Sequence, residues 1–184
     1  MNPIRLPHIA LPVLAALAIA TPSEAPAQKK GDPTAEATLL GQFTDWGAYT
    51  AQPNGRKICF VISRPTSRQE KPPNRRSDEH GTYMFVSTRP ADKVTNEISM
   101  LITNYAFNNQ DATVTVGDSK FILQTRGDGA WTKDAADESR LVEAMRGGST
   151  MTVTATTDRG TMTIDNFSLR GVTDALARAA KECG

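Results

Sequence analysis

The chain has 184 residues, with 21 Lys and Arg against 20 Asp and Glu and a net charge of +1. That balance argues against a nucleic-acid partner, which calls for a strongly basic face. A content of 39% apolar residues is that of a globular chain, and two cysteines in so long a sequence set aside a disulfide-dense scaffold.

Residues 1–27 read as an export signal. Arg5 and the amino terminus give a positive start, residues 9–20 are apolar apart from Pro12, and Ala25-Pro26-Ala27 matches the small-x-small cleavage pattern. The apolar stretch is shorter than the roughly 20 residues a spanning helix needs, so the chain is not expected to span a membrane. Cleavage after Ala27 and a periplasmic location are the expectations. Residues 28–37 are a polar, flexible lead-in with Gly31 and Pro33, and residues 38–184 are long enough for one domain with its own core.

Residues 39–43 open the domain, and residues 46–51 read as a strand turned by Pro53-Asn54-Gly55. Residues 57–63 (KICFVIS) are too apolar for a strand with one wet face and are expected in the centre of a sheet. Residues 64–80 are polar, carry Pro72 and Pro73, and read as a mobile or functional loop. Residues 83–87 and 97–104 are further strands, and residues 113–116 and 120–125 flank Gly117-Asp118 as a hairpin. A helix follows, opened by Asp134, with Asp137 and Glu138 at its positive end and Gly147-Gly148 at its close. Residues 150–156 and 161–165 alternate as a second hairpin. Phe167 and Leu169 have the opposite parity to Met162 and Ile164, which predicts a bulge or a change of facing near Asn166. The last helix is expected to be capped by Thr173, with Val172, Leu176 and Cys183 on one face. About eight strands and two helices, without regular alternation, predict an all-β antiparallel sandwich, a small closed barrel being the alternative.

Cys59 lies in the central strand and Cys183 on the inward face of the last helix, so in an exported protein the two are expected to pair; two free buried thiols are the alternative. Closing so long a loop stabilises the fold by up to about 5 kcal/mol in the chain-entropy treatment.

The order of several short blocks resembles the invasion-associated locus B proteins of Gram-negative bacteria. The blocks are Trp46-Gly47-Ala48-Tyr49, Lys57-Ile58-Cys59-Phe60 with Ser63-Arg64-Pro65, and Phe85-Val86-Ser87-Thr88-Arg89-Pro90. They continue through Asn96-Glu97-Ile98-Ser99, Gly127-Asp128-Gly129-Ala130-Trp131, Arg159-Gly160-Thr161 and Phe167-Ser168-Leu169-Arg170-Gly171 to Cys183. The resemblance implies an immunoglobulin-like β-sandwich in the periplasm or envelope and brings no catalytic residues.

Catalytic signatures are sparse. His80 is the one histidine beyond the leader, and no G-x-S-x-G, phosphate-binding loop or C-x-x-C occurs, so no catalytic residue, zinc site or cofactor is assigned. Asp128, Asp134, Asp137 and Glu138 fit turn and helix-start roles better than a calcium site, and Arg126-Gly127-Asp128 is read as turn chemistry, not as an adhesion tripeptide. Trp46 and Trp131 are read as core residues with their indole N–H groups bonded to backbone. The basic set Arg64, Arg68, Lys71, Arg75 and Arg76 is the surface candidate for an anionic envelope component or a protein partner. The function expected is therefore a non-catalytic envelope protein that binds an envelope or host-surface partner. A periplasmic hydrolytic or carbohydrate-active enzyme is the competing reading.

Overall fold

Alternation of inward and outward side chains along short strands builds the molecule. The computed structural model describes residues 34, 36–73, 81–103 and 105–184. Within them the elements run β1 (Thr38–Phe43), β2 (Trp46–Ala51), β3 (Ile58–Ser63), β4 (Ser67–Lys71), β5 (Thr82–Arg89), β6 (Val94–Ile102), β7 (Ala112–Val116), β8 (Ser119–Arg126), β9 (Gly129–Thr132), α1 (Ala135–Gly147), β10 (Thr150–Thr156), β11 (Met162–Ser168) and α2 (Val172–Cys183). The strands pair antiparallel in the order β1-β2-β3-β5-β6-β9-β8-β7-β10-β11-β4.

This sheet doubles back as a sandwich, because side chains from both halves need the same shelter from water. Trp46, Cys59, Val61, Met84 and Ile98 from one half share a single core with Val114, Leu123, Met151, Val153 and Phe167 from the other. The halves are tied at one corner. There the Trp46 indole N–H donates to the Ser168 carbonyl at 2.9 Å, the Asp45 amide to the Arg170 carbonyl at 3.3 Å, and the Thr66 amide to the Asn166 carbonyl at 2.7 Å. Residues 64–66 carry the chain across this corner from β3 in the first half to β4 on the far edge of the second.

Several expectations hold. The hairpin of β7 and β8 turns through Gly117 at φ 56°, and the Asp134 carboxylate caps α1 by accepting from the Asp137 amide at 2.9 Å. Others are corrected. Residues 67–71 are not loop but strand β4, since β11 supplies a full ladder of backbone partners to a segment without apolar alternation. No bulge lies near Asn166: β10 and β11 pair without a break from Thr150↔Ser168 to Thr156↔Met162. The inward parity of β11 is Thr163, Asp165 and Phe167, whereas Met162 and Ile164 face outward. The cap of α2 is Gly171 at φ 89°, not Thr173.

Helix α2 lays Val172, Ala175, Leu176, Ala179 and Cys183 on the inner face of β1, β2, β3 and β5. Cys59 and Cys183 are joined by a disulfide, with Cα atoms 5.9 Å apart and a separation of 124 positions in sequence. Beside it the Lys57 ammonium donates to the Glu182 carboxylate at 2.8 Å and to the Glu182 carbonyl at 2.9 Å. The Glu182 carboxyl is held below the usual range, chiefly by that hydrogen bond from Lys57 and then by one from Arg178.

Candidate binding site on the outer sheet face

Strand β3 is apolar on both faces. Cys59 and Val61 enter the main core, and Phe60 and Ile62 point the opposite way. Register then collects what the sequence scatters: Phe60 lies opposite Tyr49, while Ile62 lies between Gly47 and Phe85. The result is a second apolar cluster of Phe60, Ile62 and Tyr83, flanked by half-buried Tyr49, Ile58 and Phe85 and by Ala37. Its rings are in contact: Tyr49 and Phe60 are 5.5 Å apart and nearly parallel, Phe60 and Phe85 5.9 Å, Tyr83 and Phe85 6.3 Å.

Two glycines let the tyrosines lie against the strands. A Cβ at Gly47 would stand 2.6 Å from Tyr49 Cε2, and one at Gly81 would overlap the Tyr83 ring. Arg64, the first residue after β3, places its guanidinium 4.7 Å from the Tyr83 ring centre and donates from Nη2 to the Tyr83 hydroxyl at 2.8 Å. Next to these groups, at the corner where the halves meet, is a cavity of about 360 Å³. Gly47, Tyr49, Ile62 and Tyr83 line it along the sheet, and Gln42, Asp45, Arg64 and Thr66 add polar groups.

Of the basic residues proposed from the sequence, the described three, Arg64, Arg68 and Lys71, take separate places. Arg64 is at the cavity. Arg68 is opposite Asp165 in the β4–β11 ladder, with Nε 3.7 Å from a carboxylate that is completely buried, so its charge serves the fold. Lys71 is exposed at the end of β4, opposite Met162. Arg75, Arg76 and His80 lie outside the described residues.

Trp46 is fully buried and bonded as expected, but Trp131 is 37% exposed on the outer face, because Ala130 and Thr132 are the inward residues of β9. The carboxylates considered for calcium have other partners: Asp134 caps α1, Asp137 is 3.3 Å from Arg140, and Glu138 accepts from the Thr132 hydroxyl at 2.9 Å. The Arg126-Gly127-Asp128 turn is bound into the fold, its Gly127 and Asp128 carbonyls accepting from the Phe107 and Ile102 amides.

The aromatic face was missed by sequence reasoning. A signal for it exists in the pairs Gly47-x-Tyr49 and Gly81-x-Tyr83, in which a ring two residues on can cover the bare backbone of the glycine. No curated protein matches the chain in sequence. The crystal structure of invasion associated protein B from Bartonella henselae matches it with a TM-score of 0.54 at 15% identity, over 79% of this chain and 96% of that one, a likeness of fold. A profile described as invasion associated locus B (IalB) protein matches residues 46–180, and the chain belongs to that family.

Proposed function

We propose that this chain is an exported, non-catalytic envelope protein that loses residues 1–27 and binds a partner through the outer aromatic face of β2, β3 and β5. The observation that carries the reading is the second apolar cluster with its cavity. The outward side of an antiparallel sheet is ordinarily polar; here it carries a second apolar cluster whose members Phe60, Ile62 and Tyr83 are themselves buried, and the cavity at its edge, with half-buried Tyr49 in the wall, is a concave site of the kind that takes a ligand or partner group. Family membership supports an envelope role, since the family takes its name from invasion. The disulfide supports an oxidising compartment. Among the described residues no helix is long and apolar enough to cross a membrane. Binding fits the cavity better than hydrolysis by paired carboxylates, because Asp45 is the single carboxylate among the described residues that line it.

Photo-crosslinking in intact cells tests the proposal. A photoreactive phenylalanine analogue in place of Tyr49 is expected to capture a discrete envelope partner. The same analogue in place of Thr154, on the outer face of the opposite half, is expected to capture none. Capture from Thr154 alone, or from neither position, would remove the aromatic face as the binding surface.

A further inference from the structure

The cavity beside Tyr49 carries more chemistry than an apolar patch requires. We infer that it is a subsite for a neutral sugar ring, an inference that rests on the binding role proposed above. Its volume of about 360 Å³ is at the small end of ligand sites, which span roughly 300–1,000 Å³, and suits a mono- or disaccharide unit. Tyr49 and Ile62 supply an apolar wall of the kind that packs against the C–H face of a pyranose.

The polar groups are of both kinds. The Gln42 amide gives one N–H to the Thr44 carbonyl at 3.0 Å, and its Oε1 reaches to 3.1 Å from where a Gly47 Cβ would stand, at the cavity wall. Asp45 is pinned through its backbone, its amide donating to the Arg170 carbonyl and its carbonyl accepting from the Ser63 hydroxyl at 2.7 Å, and it lines the same space. Arg64 is anchored on Tyr83 through one nitrogen and brings a guanidinium fork with further donors. Hydroxyl groups, which donate and accept, can use all three residues. A carboxylate or phosphate gains at Arg64 what it loses at Asp45, so the paired charges favour a neutral ligand over an anionic one.

The test is an NMR titration of the full chain as purified from the periplasm, with chitotetraose and maltotetraose as neutral probes and trigalacturonate as the anionic probe. The expected result is saturable movement of the Gly47, Ile62 and Tyr83 amides with at least one neutral probe below about 20 mM, a range that covers the millimolar affinities of small sites. Asp45→Asn and Tyr49→Ala are each expected to weaken that binding roughly tenfold, with the amides remote from the cavity and from β2, β3 and β5 unchanged. Should no neutral probe move these amides, the sugar inference is overturned; crosslinks from Tyr49 would still stand for the binding face itself. Binding of trigalacturonate alone, strengthened by Asp45→Asn, would overturn it in favour of an anionic ligand.

Discussion

Replacing Cys59 and Cys183 together by Ser lowers the stability of the fold by about 3 kcal/mol and the melting temperature by about 10 °C. The bond closes 124 residues, nearly the whole domain, so its loss restores to the unfolded chain a freedom worth up to about 5 kcal/mol. The folded state gives some of this back. Val172, Ala175, Leu176 and Ala179 still bury their side chains on the inner sheet face, and Lys57 still binds Glu182, so α2 remains docked and loosens from its end. Thermal unfolding of the double variant measures the shift, and amide exchange over residues 176–184 locates it. A melting temperature equal to that of the parent, with α2 amides equally protected, would contradict this role for the disulfide.

Gly171→Ala has a comparable cost for a different reason. Gly171 caps α2 at φ 89°, where an L side chain is strained, and a Cβ there would overlap the Phe43 carbonyl oxygen and stand 2.6 Å from the Phe43 carbonyl carbon. Those atoms are backbone, so relief requires the β1–β2 corner and the start of α2 to separate. That movement pulls on the bond from Asp45 to Arg170 and on the core beneath Trp46. A loss of about 3–4 kcal/mol in denaturant unfolding is expected. Gly160→Ala is the control: Gly160 has φ 73° but nothing within 4 Å of its Cβ position, so only the backbone strain of about 1–2 kcal/mol applies. Equal losses for the two variants would show that the approach of Gly171 to Phe43 carries no energetic weight.

Much of the frame was legible in the sequence because local chemistry and global packing agree there. Residues 58–63 are apolar at both parities and become the strand buried on both faces. Gly117-Asp118 and the Asp134 cap act within a few residues of their own positions, and the inward spacing of Val172, Leu176 and Cys183 placed the second cysteine on the face that meets β3. What was not legible depends on partners far away in the chain. Ser67–Lys71 has no strand pattern of its own and becomes one only by pairing with β11. Asp165 looks like a solvent residue, and its burial is intelligible only with Arg68 opposite. The second apolar cluster and the wall of the cavity beside it are assembled by register, which brings Gly47, Ile62 and Phe85 side by side from three separate segments.

An envelope role depends first on the chain reaching an oxidising compartment, cut and cross-linked. Intact-mass analysis of protein from the periplasmic fraction, alkylated under denaturing and non-reducing conditions, tests this directly. The mass expected is that of residues 28–184 with both thiols oxidised and no alkyl group added. A chain that keeps residues 1–27, is absent from that fraction, or takes up alkyl groups at Cys59 and Cys183 would contradict it.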